Sequence, residues 1–269
     1  MKKLMLLLLF VLSMTTNANA QCSSNNSAFQ SGETLIYDLY FNWKFVWMKV
    51  GSASMNTTQT TYAGRPAYRT YLITRGSKTA DNIFVMRDTL MSYMGLDLVP
   101  KYYVKKALEG KTYRKNEVWY SYPNGLCNVK MRYQRDKNPA KYSNHSSKYC
   151  GFDMISMLMR ARSLSAEGMK VGHRINFLMP DGHTIEWKSI IYRGKKTFKM
   201  ENSGTKYRCL VFSFVEKEKG KERDIVTFYI TDDKNHLPVR LDMNLNFGTA
   251  KAFLKGARGL RNPQTAKVK

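Results

Sequence analysis

Apolar and polar residues alternate along most of the chain, in short runs that turn residues separate. In the segment 33–40, Leu35, Tyr37 and Leu39 fall on one side of an extended chain. Alternation with period two is typical of strands that bury one face, and it predicts an antiparallel β protein. The other runs of this kind are 46–55, 68–74, 83–93, 99–108, 113–122, 127–133, 174–179, 184–192, 207–215, 225–230 and 239–247.

The segment 153–166 has the periodicity of a helix instead. Asp153 stands where a helix N-cap would, and apolar residues follow from Met154 at the spacing i, i+3, i+4 and i+7. We expect one principal helix that packs its methionines on the sheet. Because methionines also line adaptable grooves, Met157 and Met159 are candidate ligand contacts, although core packing is the favoured interpretation.

Four segments follow from these patterns. Residues 1–20 have the pattern of a cleaved export signal, and residues 21–31 form a polar lead-in. Residues 32–255 are predicted to be one β-rich domain, whose two pseudo-halves would meet near residues 151–168. Residues 256–269 are polar, basic and without periodicity, which predicts a flexible tail.

The predicted export signal has three parts. Lys2 and Lys3 precede an apolar run over residues 4–12, and the small residues Ala18 and Ala20 suit a signal peptidase. The run is too short to cross a bilayer, which takes about 20 apolar residues. We therefore expect cleavage after Ala20, a periplasmic mature chain, and no transmembrane segment within it.

Four cysteines bear on the compartment and on anchoring: Cys22, Cys127, Cys150 and Cys209. An even number in an oxidising compartment permits disulfides. Cys127 with Cys150 is the preferred pair, because both flank one polar loop. Cys22 follows the signal closely, as a lipid-anchor cysteine does, but the preceding Gln21 and Asn19 fit that signal poorly. We therefore expect a protein without a lipid anchor.

Positive charge dominates the composition. The chain has 44 Lys and Arg against 20 Asp and Glu, a formal net charge of +24. Such a field attracts polyanions and weakens with salt. An exported protein rarely meets nucleic acid, so we expect an envelope lipid, lipopolysaccharide or an anionic glycan as partner, and no nucleic acid. The favoured alternative is that the lysines only keep exposed strands soluble and protect sheet edges.

Local signatures of catalysis and metal binding are missing from the sequence. There is no His-x-x-x-His or His-Glu-x-x-His pair, no Cys-x-x-Cys pair, no phosphate-binding loop and no Gly-x-Ser-x-Gly elbow. We therefore predict no catalytic residues, no metal and no cofactor, and we favour a non-enzymatic protein over an enzyme.

The stretch 101–148 interleaves Lys and Arg with aromatic residues. Basic groups beside aromatic rings hold single-stranded polyanions on β surfaces, and the same combination suits phosphorylated sugars. The favoured alternative is ordinary strand alternation, with Tyr102 and Val104 in the core and Tyr103 outside. The candidate ligand contacts of this stretch are Tyr103, Lys105, Lys106, Lys111, Arg114, Lys115 and Trp119.

Several phrases, taken in order, resemble a known family. They are GETLIYDLYF with KVGSASM, FVMRDTLMSYMGLDLVPKYYVKKALEG, FDMISMLMRAR and ITDDKNHLPVRLDMNLNFGTAKAFL. Over about residues 32–255 the chain resembles the domain-of-unknown-function family 3108 of exported bacterial proteins. The resemblance implies a curved antiparallel sheet or an open, partial β-barrel around a helix-lined hollow, similar to envelope carriers that shelter an acyl chain.

The family has no assigned activity to carry over. Most of its recurring positions can be interpreted as turns or caps; in this chain they are Asp88, Pro100, Glu109, Gly110, Asp153, Asp233 and Pro238. The large positive charge departs from the family pattern and puts a shared ligand in doubt.

These observations predict an exported, non-enzymatic β protein that binds an apolar or amphiphilic envelope molecule in the hollow of its sheet. A basic rim would hold anionic groups. One alternative is an adaptor whose basic surface docks on an anionic glycan or a partner protein. A second alternative is a hydrolase of envelope polymers, with a site gathered from distant strands. The sequence predicts neither the ligand identity nor the oligomeric state.

Overall fold

A computed structural model describes residues 22–43, 46–218, 220–245 and 248–268, which form a sheet of 15 strands with two short α-helices. The predicted export signal lies outside these residues. The elements are β1 (Glu33–Trp43), β2 (Val46–Tyr62), β3 (Arg65–Gly76), α1 (Lys78–Asp81), β4 (Met86–Gly95), β5 (Pro100–Glu109), β6 (Thr112–Ser121), β7 (Cys127–Arg135), β8 (Lys141–Ser147), α2 (Met154–Arg162), β9 (Arg174–Pro180), β10 (Ile185–Lys199), β11 (Lys206–Glu218), β12 (Lys221–Thr231), β13 (Pro238–Leu245), β14 (Gly248–Arg258) and β15 (Lys267–Val268). Neither helix of the described ranges has the length and apolar character that a membrane span requires.

The alternating runs of the sequence form strands, and the predicted mainly β fold is confirmed. Leu35, Tyr37 and Leu39 of β1 are buried together, as their spacing predicts. The sequence missed β8 and β14. Nearly all of β8 is exposed, so neither of its faces carries the apolar pattern by which strands are recognised.

Two meanders meet at the middle of the sheet. β1 to β8 follow one another as antiparallel neighbours, β9 to β14 do likewise, and β1 pairs with β14. Within the described residues β8 and β9 do not pair, so the sheet is curved but not closed. Register shifts, such as those at Leu39/Tyr40 and Tyr192/Gly194, are bulges that increase the bend of their strands.

The strand directions define two ends of the curved sheet. The strands β1, β3, β5, β7, β9, β11 and β13 all end at the same edge of the sheet, which we call the open end. At the other, plugged end, the segment 22–32 contacts both α2 and the C-terminal segment 259–268. The Arg160 guanidinium donates to the Cys22 carbonyl at 2.6 Å, and that of Arg261 donates to the Asn26 carbonyl at 2.7 Å.

A buried ion pair fixes the plugged end. Two guanidinium nitrogens of Arg162 donate to the two carboxylate oxygens of Glu33, at 2.6 and 2.9 Å, and both side chains are fully buried. Arg162 also donates to the Asn235 carbonyl at 3.1 Å, and its guanidinium carbon lies 5.4 Å from the ring centre of Phe29. One side chain thus joins α2 to β1, to the β12–β13 turn and to the N-terminal segment.

The principal helix begins where the sequence predicts. The Asp153 carboxylate accepts from two backbone N–H groups of the first turn, at 2.9 and 3.0 Å. The helix ends at Arg162, earlier than predicted, and its buried face also differs. Met154 is exposed, whereas Ile155 and Met159 are fully buried. The reason is that α2 lies within the curve of the sheet, so more than one of its sides is covered.

The seam between β8 and β9 is bridged by other elements. The Phe152 N–H donates to the Leu178 carbonyl of β9 at 2.8 Å. At the tip of the β9–β10 hairpin, the Asp181 carbonyl accepts from the Asn116 side chain of β6 at 2.9 Å. Gly182 has a φ of +93°, and a Cβ there would lie 2.7 Å from the Cβ of Asn116. The hairpin tip therefore rests directly on β6.

The C-terminal segment is not the flexible tail that the sequence predicts. Ala266 is fully buried, the Asn262 N–H donates to the Asn235 side chain at 2.9 Å, and Lys267–Val268 pair with β11. The prediction was wrong because these contacts are hydrogen bonds to loops and to a strand end. Such contacts leave no apolar periodicity in the sequence.

Candidate binding site

The concave face of the sheet is identified by the helix that it holds. The Ser92 hydroxyl of β4 donates to the Asp153 carboxylate at 3.1 Å, and Tyr120 of β6 donates to it at 3.4 Å. Because side chains two apart in a strand share a face, every second residue from Ser92 and Tyr120 points to the concave side. Burial raises the pKa of Asp153 to about 6 and outweighs the hydrogen bonds that it accepts.

A cluster of four charged residues lies on this face toward the open end. Asp88 shares a face with Ser92, and it is separated from Arg114 of β6 only by Ala107 of β5. Glu109 accepts from Arg114 at 2.6 Å and from Lys105 at 3.4 Å, and these three side chains are each about one-third exposed. Two acids and two bases therefore stand together at the wall of the sheet, within reach of solvent.

Asp88 is the unusual member of this cluster. Its Oδ1 atom is buried and has no hydrogen-bond partner among the described residues. Burial raises the pKa of Asp88 to about 6, although Lys105 and Arg114 act to lower it. A buried carboxylate oxygen is normally hydrogen-bonded, so the unpaired Oδ1 of Asp88 is an exception, and it lies beside partly exposed charges.

The second meander gives the same face an apolar wall. Tyr192, Phe212, Phe228 and Leu241 are successive partners across β10 to β13, and the last three are only partly buried. Ala252 of β14 continues the row toward the centre of the sheet. Partly exposed rings on a concave surface give an apolar molecule a surface to lie on.

A cleft of about 250 Å³ lies between this wall and the seam. Its centre is Lys188 of β10, whose ammonium group donates to Glu186 at 2.7 Å and to Glu216 at 2.8 Å. The other lining residues are Met179, Asp181 and Thr184. The cleft is smaller than the roughly 300–1,000 Å³ of drug-sized ligand pockets, and its lining is polar, so it suits a head group better than an acyl chain.

Comparison with known proteins places the chain in a family. The family model described as "Protein of unknown function (DUF3108)" matches residues 36–255. The chain belongs to the DUF3108 family. No curated protein matches it. Among solved structures it is similar to the beta-barrel-like protein of the domain of unknown function DUF1849 from Brucella abortus, with a TM-score of 0.56 at 12% identity. The match covers 87% of this chain and 100% of that chain, and at this identity it shows the fold alone.

The candidate ligand contacts predicted for this DUF3108 protein separate by strand face. Lys105 and Arg114 face the concave side and join the charged cluster. Tyr103 is on that side too, but it is 3% exposed, so the expected split with Tyr103 outside is wrong. Tyr102, which was expected in the core, is partly exposed on the opposite face.

The remaining candidates are not brought to the cluster. Lys106, Lys115 and Trp119 lie on the convex side, where Lys115 pairs with Glu117 at 2.9 Å, and Lys111 is exposed in the β5–β6 hairpin. Met157 and Met159 of α2 are both buried in core clusters, which supports the core-packing interpretation.

Sequence reasoning missed the acids of the concave face. Asp88 and Glu109 stood out only as recurring family positions and were interpreted as turn or cap residues. A signal was available in the alternation, since both share a strand face with buried residues. The Glu186–Lys188–Glu216 group gave no such signal, because it depends on the pairing of β10 with β11.

The disulfide joins Cys22 to Cys150, with their Cα atoms 5.4 Å apart, so the predicted Cys127–Cys150 pair is wrong. Cys22 lies 128 residues from its partner and approaches it only because the N-terminal segment crosses the plugged end. Cys127 is a buried free thiol that accepts from the Gly151 N–H at 3.4 Å, and burial raises its pKa.

Proposed function

We propose that this DUF3108 protein is a periplasmic, non-enzymatic binding protein for an amphiphilic envelope molecule. The ligand lies on the concave face of the sheet, with its head group toward the open end and its apolar part on the wall of β10 to β13. The observation that carries the proposal is the orphaned carboxylate oxygen of Asp88, beside the exposed charges of Lys105 and Arg114.

The balance of charge in the cluster favours a head group of mixed character. Asp88 and Glu109 are acidic, and Lys105 and Arg114 are basic. A group with an anion beside a hydrogen-bond donor, such as a phosphate next to an amine, satisfies both signs. The anion contacts the two cations, and the donor meets the free oxygen of Asp88.

The export signal and the disulfide support the periplasmic part of the proposal. A disulfide between positions 22 and 150 persists in an oxidising compartment and is rare in the cytosol. Cleavage after Ala20 leaves Cys22 as the second residue of the mature chain, free to form that bond.

A matched pair of variants tests the site. Lys105 and Lys106 are neighbours on β5 but face opposite sides, so Lys105→Gln removes a charge from the cluster and Lys106→Gln removes one from the convex surface. Isothermal titration with lysophosphatidylethanolamine below its micelle concentration measures binding. Since one hydrogen bond to a charged group contributes roughly 1.5–3 kcal/mol, we expect Lys105→Gln to weaken binding at least tenfold. The affinity of Lys106→Gln for the lysophospholipid should stay within twofold of the wild type.

Mass spectrometry of protein purified without detergent at high salt gives an independent reading. We expect an amphiphile to co-purify with the wild type and to be depleted in Lys105→Gln. If neither an endogenous amphiphile nor the lysophospholipid binds, or if both lysine variants weaken binding equally, the concave site is not the ligand site.

One observation on the convex face favours the adaptor as a second candidate. The rings of Tyr62, Tyr93, Tyr102 and Trp119 follow one another across that face, with neighbouring centres 5.1 to 6.5 Å apart. Such rings beside basic residues suit an anionic glycan. The adaptor predicts glycan binding that disappears at moderate salt and is weakened by Lys106→Gln but not by Lys105→Gln.

A further inference from the structure

We infer that the open end of the sheet docks on a bilayer surface that carries anionic phospholipids. The inference rests on the proposed function for its purpose, because a carrier of amphiphiles must meet the membrane where they reside. It depends, however, on residues that the concave site does not use.

Two neighbouring segments at the open end expose large apolar side chains. Ile83 and Phe84, which follow α1, are 72% and 48% exposed. Val46, Trp47 and Met48 at the start of β2 are exposed as well. Together we call these five residues the apolar rim. Single exposed apolar residues are ordinary, but several at one end of a charged protein mark an interaction site.

Two contacts relate the apolar rim to the neighbouring strands of the open end. The Ser77 N–H donates to the Val50 carbonyl at 2.7 Å, which holds the α1 connection beside β2. A Cβ on Gly110 would lie 3.2 Å from the ring of Phe84, so Phe84 reaches the β5–β6 hairpin. Because Gly51 pairs with Gly76 at the end of β3, the first five residues of β2 extend about 16 Å beyond that level, at about 3.3 Å per residue.

Cations share the open end with the apolar rim. Exposed lysines stand in or beside the connections of this end, at Lys78, Lys111, Lys137, Lys141 and Lys221. The Lys251 ammonium lies 4.3 Å from the ring centre of Trp47. Trp with Lys is the combination found at the boundary between lipid and water, where the ring sits at head-group level and the cation meets lipid phosphates.

The opposite end provides a matched comparison. Val171 is 71% exposed and Leu126 is 41% exposed, close to the values of Ile83 and Phe84, but they lie in separate loops toward the plugged end. The double variant Ile83→Ser/Phe84→Ser therefore removes apolar area from the rim, and Leu126→Ser/Val171→Ser removes a similar area elsewhere. Lys78→Gln/Lys111→Gln and Lys206→Gln/Lys255→Gln form the corresponding pair for charge.

Sedimentation with vesicles tests the inference. Vesicles of phosphatidylcholine with one-third phosphatidylglycerol are compared with pure phosphatidylcholine, at low and at high salt. We expect the wild type to bind only the anionic vesicles and to be released by salt. Since each lysine near such a surface contributes about fivefold, the rim lysine pair should weaken binding more than tenfold. Ile83→Ser/Phe84→Ser should also weaken vesicle binding more than tenfold. The two control pairs should bind vesicles within twofold of the wild type.

Three outcomes overturn the inference. They are no binding to anionic vesicles, equal losses in the rim and control pairs, and self-association in solution that the rim variants abolish. Lysophosphatidylethanolamine titration of the rim variants keeps the two proposals distinguishable. If the protein binds the lysophospholipid but not the vesicles, membrane docking is refuted and the concave site stands. If it binds the vesicles but not the lysophospholipid, the concave site is refuted and membrane docking stands.

Discussion

Removal of the Cys22–Cys150 disulfide gives the sharpest test of how the plugged end is held. The bond closes a loop of 128 residues. In the chain-entropy description, a loop of that length restricts the unfolded chain by about 5 kcal/mol at 25 °C. That is a large part of the roughly 5–15 kcal/mol that stabilises a typical domain. We therefore expect Cys22→Ser and Cys150→Ser each to lower the melting temperature by about 10–20 °C.

Circular dichroism follows both thermal unfolding, which gives the melting temperature, and urea unfolding, which gives the free energy of unfolding extrapolated to water. The double variant Cys22→Ser/Cys150→Ser should lose no more unfolding free energy than either single variant, because the same bond is missing from all three proteins. Cys127→Ser is the control, since it changes a buried thiol without opening the loop and should cost about 1–2 kcal/mol. A large loss in Cys127→Ser with none in Cys22→Ser would refute the assignment, as would a 127–150 peptide in a non-reduced digest.

Three further changes probe the ion pair, the helix cap and the seam. Glu33→Gln should cost about 3–5 kcal/mol of unfolding free energy, because it leaves the charge of Arg162 buried and unpaired. The double variant Glu33→Leu/Arg162→Met should recover most of that loss, because it removes both charges. A double variant that is as unstable as Glu33→Gln would contradict this. The pKa of Asp153 is about 6 in the folded state and about 3.9 in the unfolded state, so the protein loses up to about 3 kcal/mol of unfolding free energy as the pH rises from 4 to 7. In urea titrations at several pH values, Asp153→Asn should remove this part of the pH dependence. The same pH dependence in the wild type and in the variant would argue against it. Gly182→Ala should lower the melting temperature more than Gly172→Ala, because both glycines have a φ near +90° but only Gly182 touches β6; equal losses would mean that the hairpin does not rest there.

The sequence was informative wherever structure follows from near neighbours. Alternation located β1 because Leu35, Tyr37 and Leu39 share one buried face, and the N-cap of α2 was visible because Asp153 acts within its own turn. The family phrases carried the expectation of a curved, open sheet.

What the sequence could not provide depends on partners far along the chain. Arg162 looks like a solvated helix residue until Glu33, 129 positions away, is placed beside it. Asp88 reveals its orphaned oxygen only when β4, β5 and β6 are aligned. The sequence missed β8 for a local reason instead, since a strand that buries neither face shows no alternation of apolar and polar residues.

The pairing of β1 with β14 constrains the order in which this chain can fold. The strands β1 to β8 can form as a series of hairpins from local contacts. Folding of this kind is fast, because closing short loops costs little entropy. The outer edge of β1, however, has no partner until residues 248–258 are available. A chain that emerges from its N-terminus therefore carries an open strand edge until it is almost complete. Truncation before β14 should yield an aggregating species with much of its secondary structure already in place.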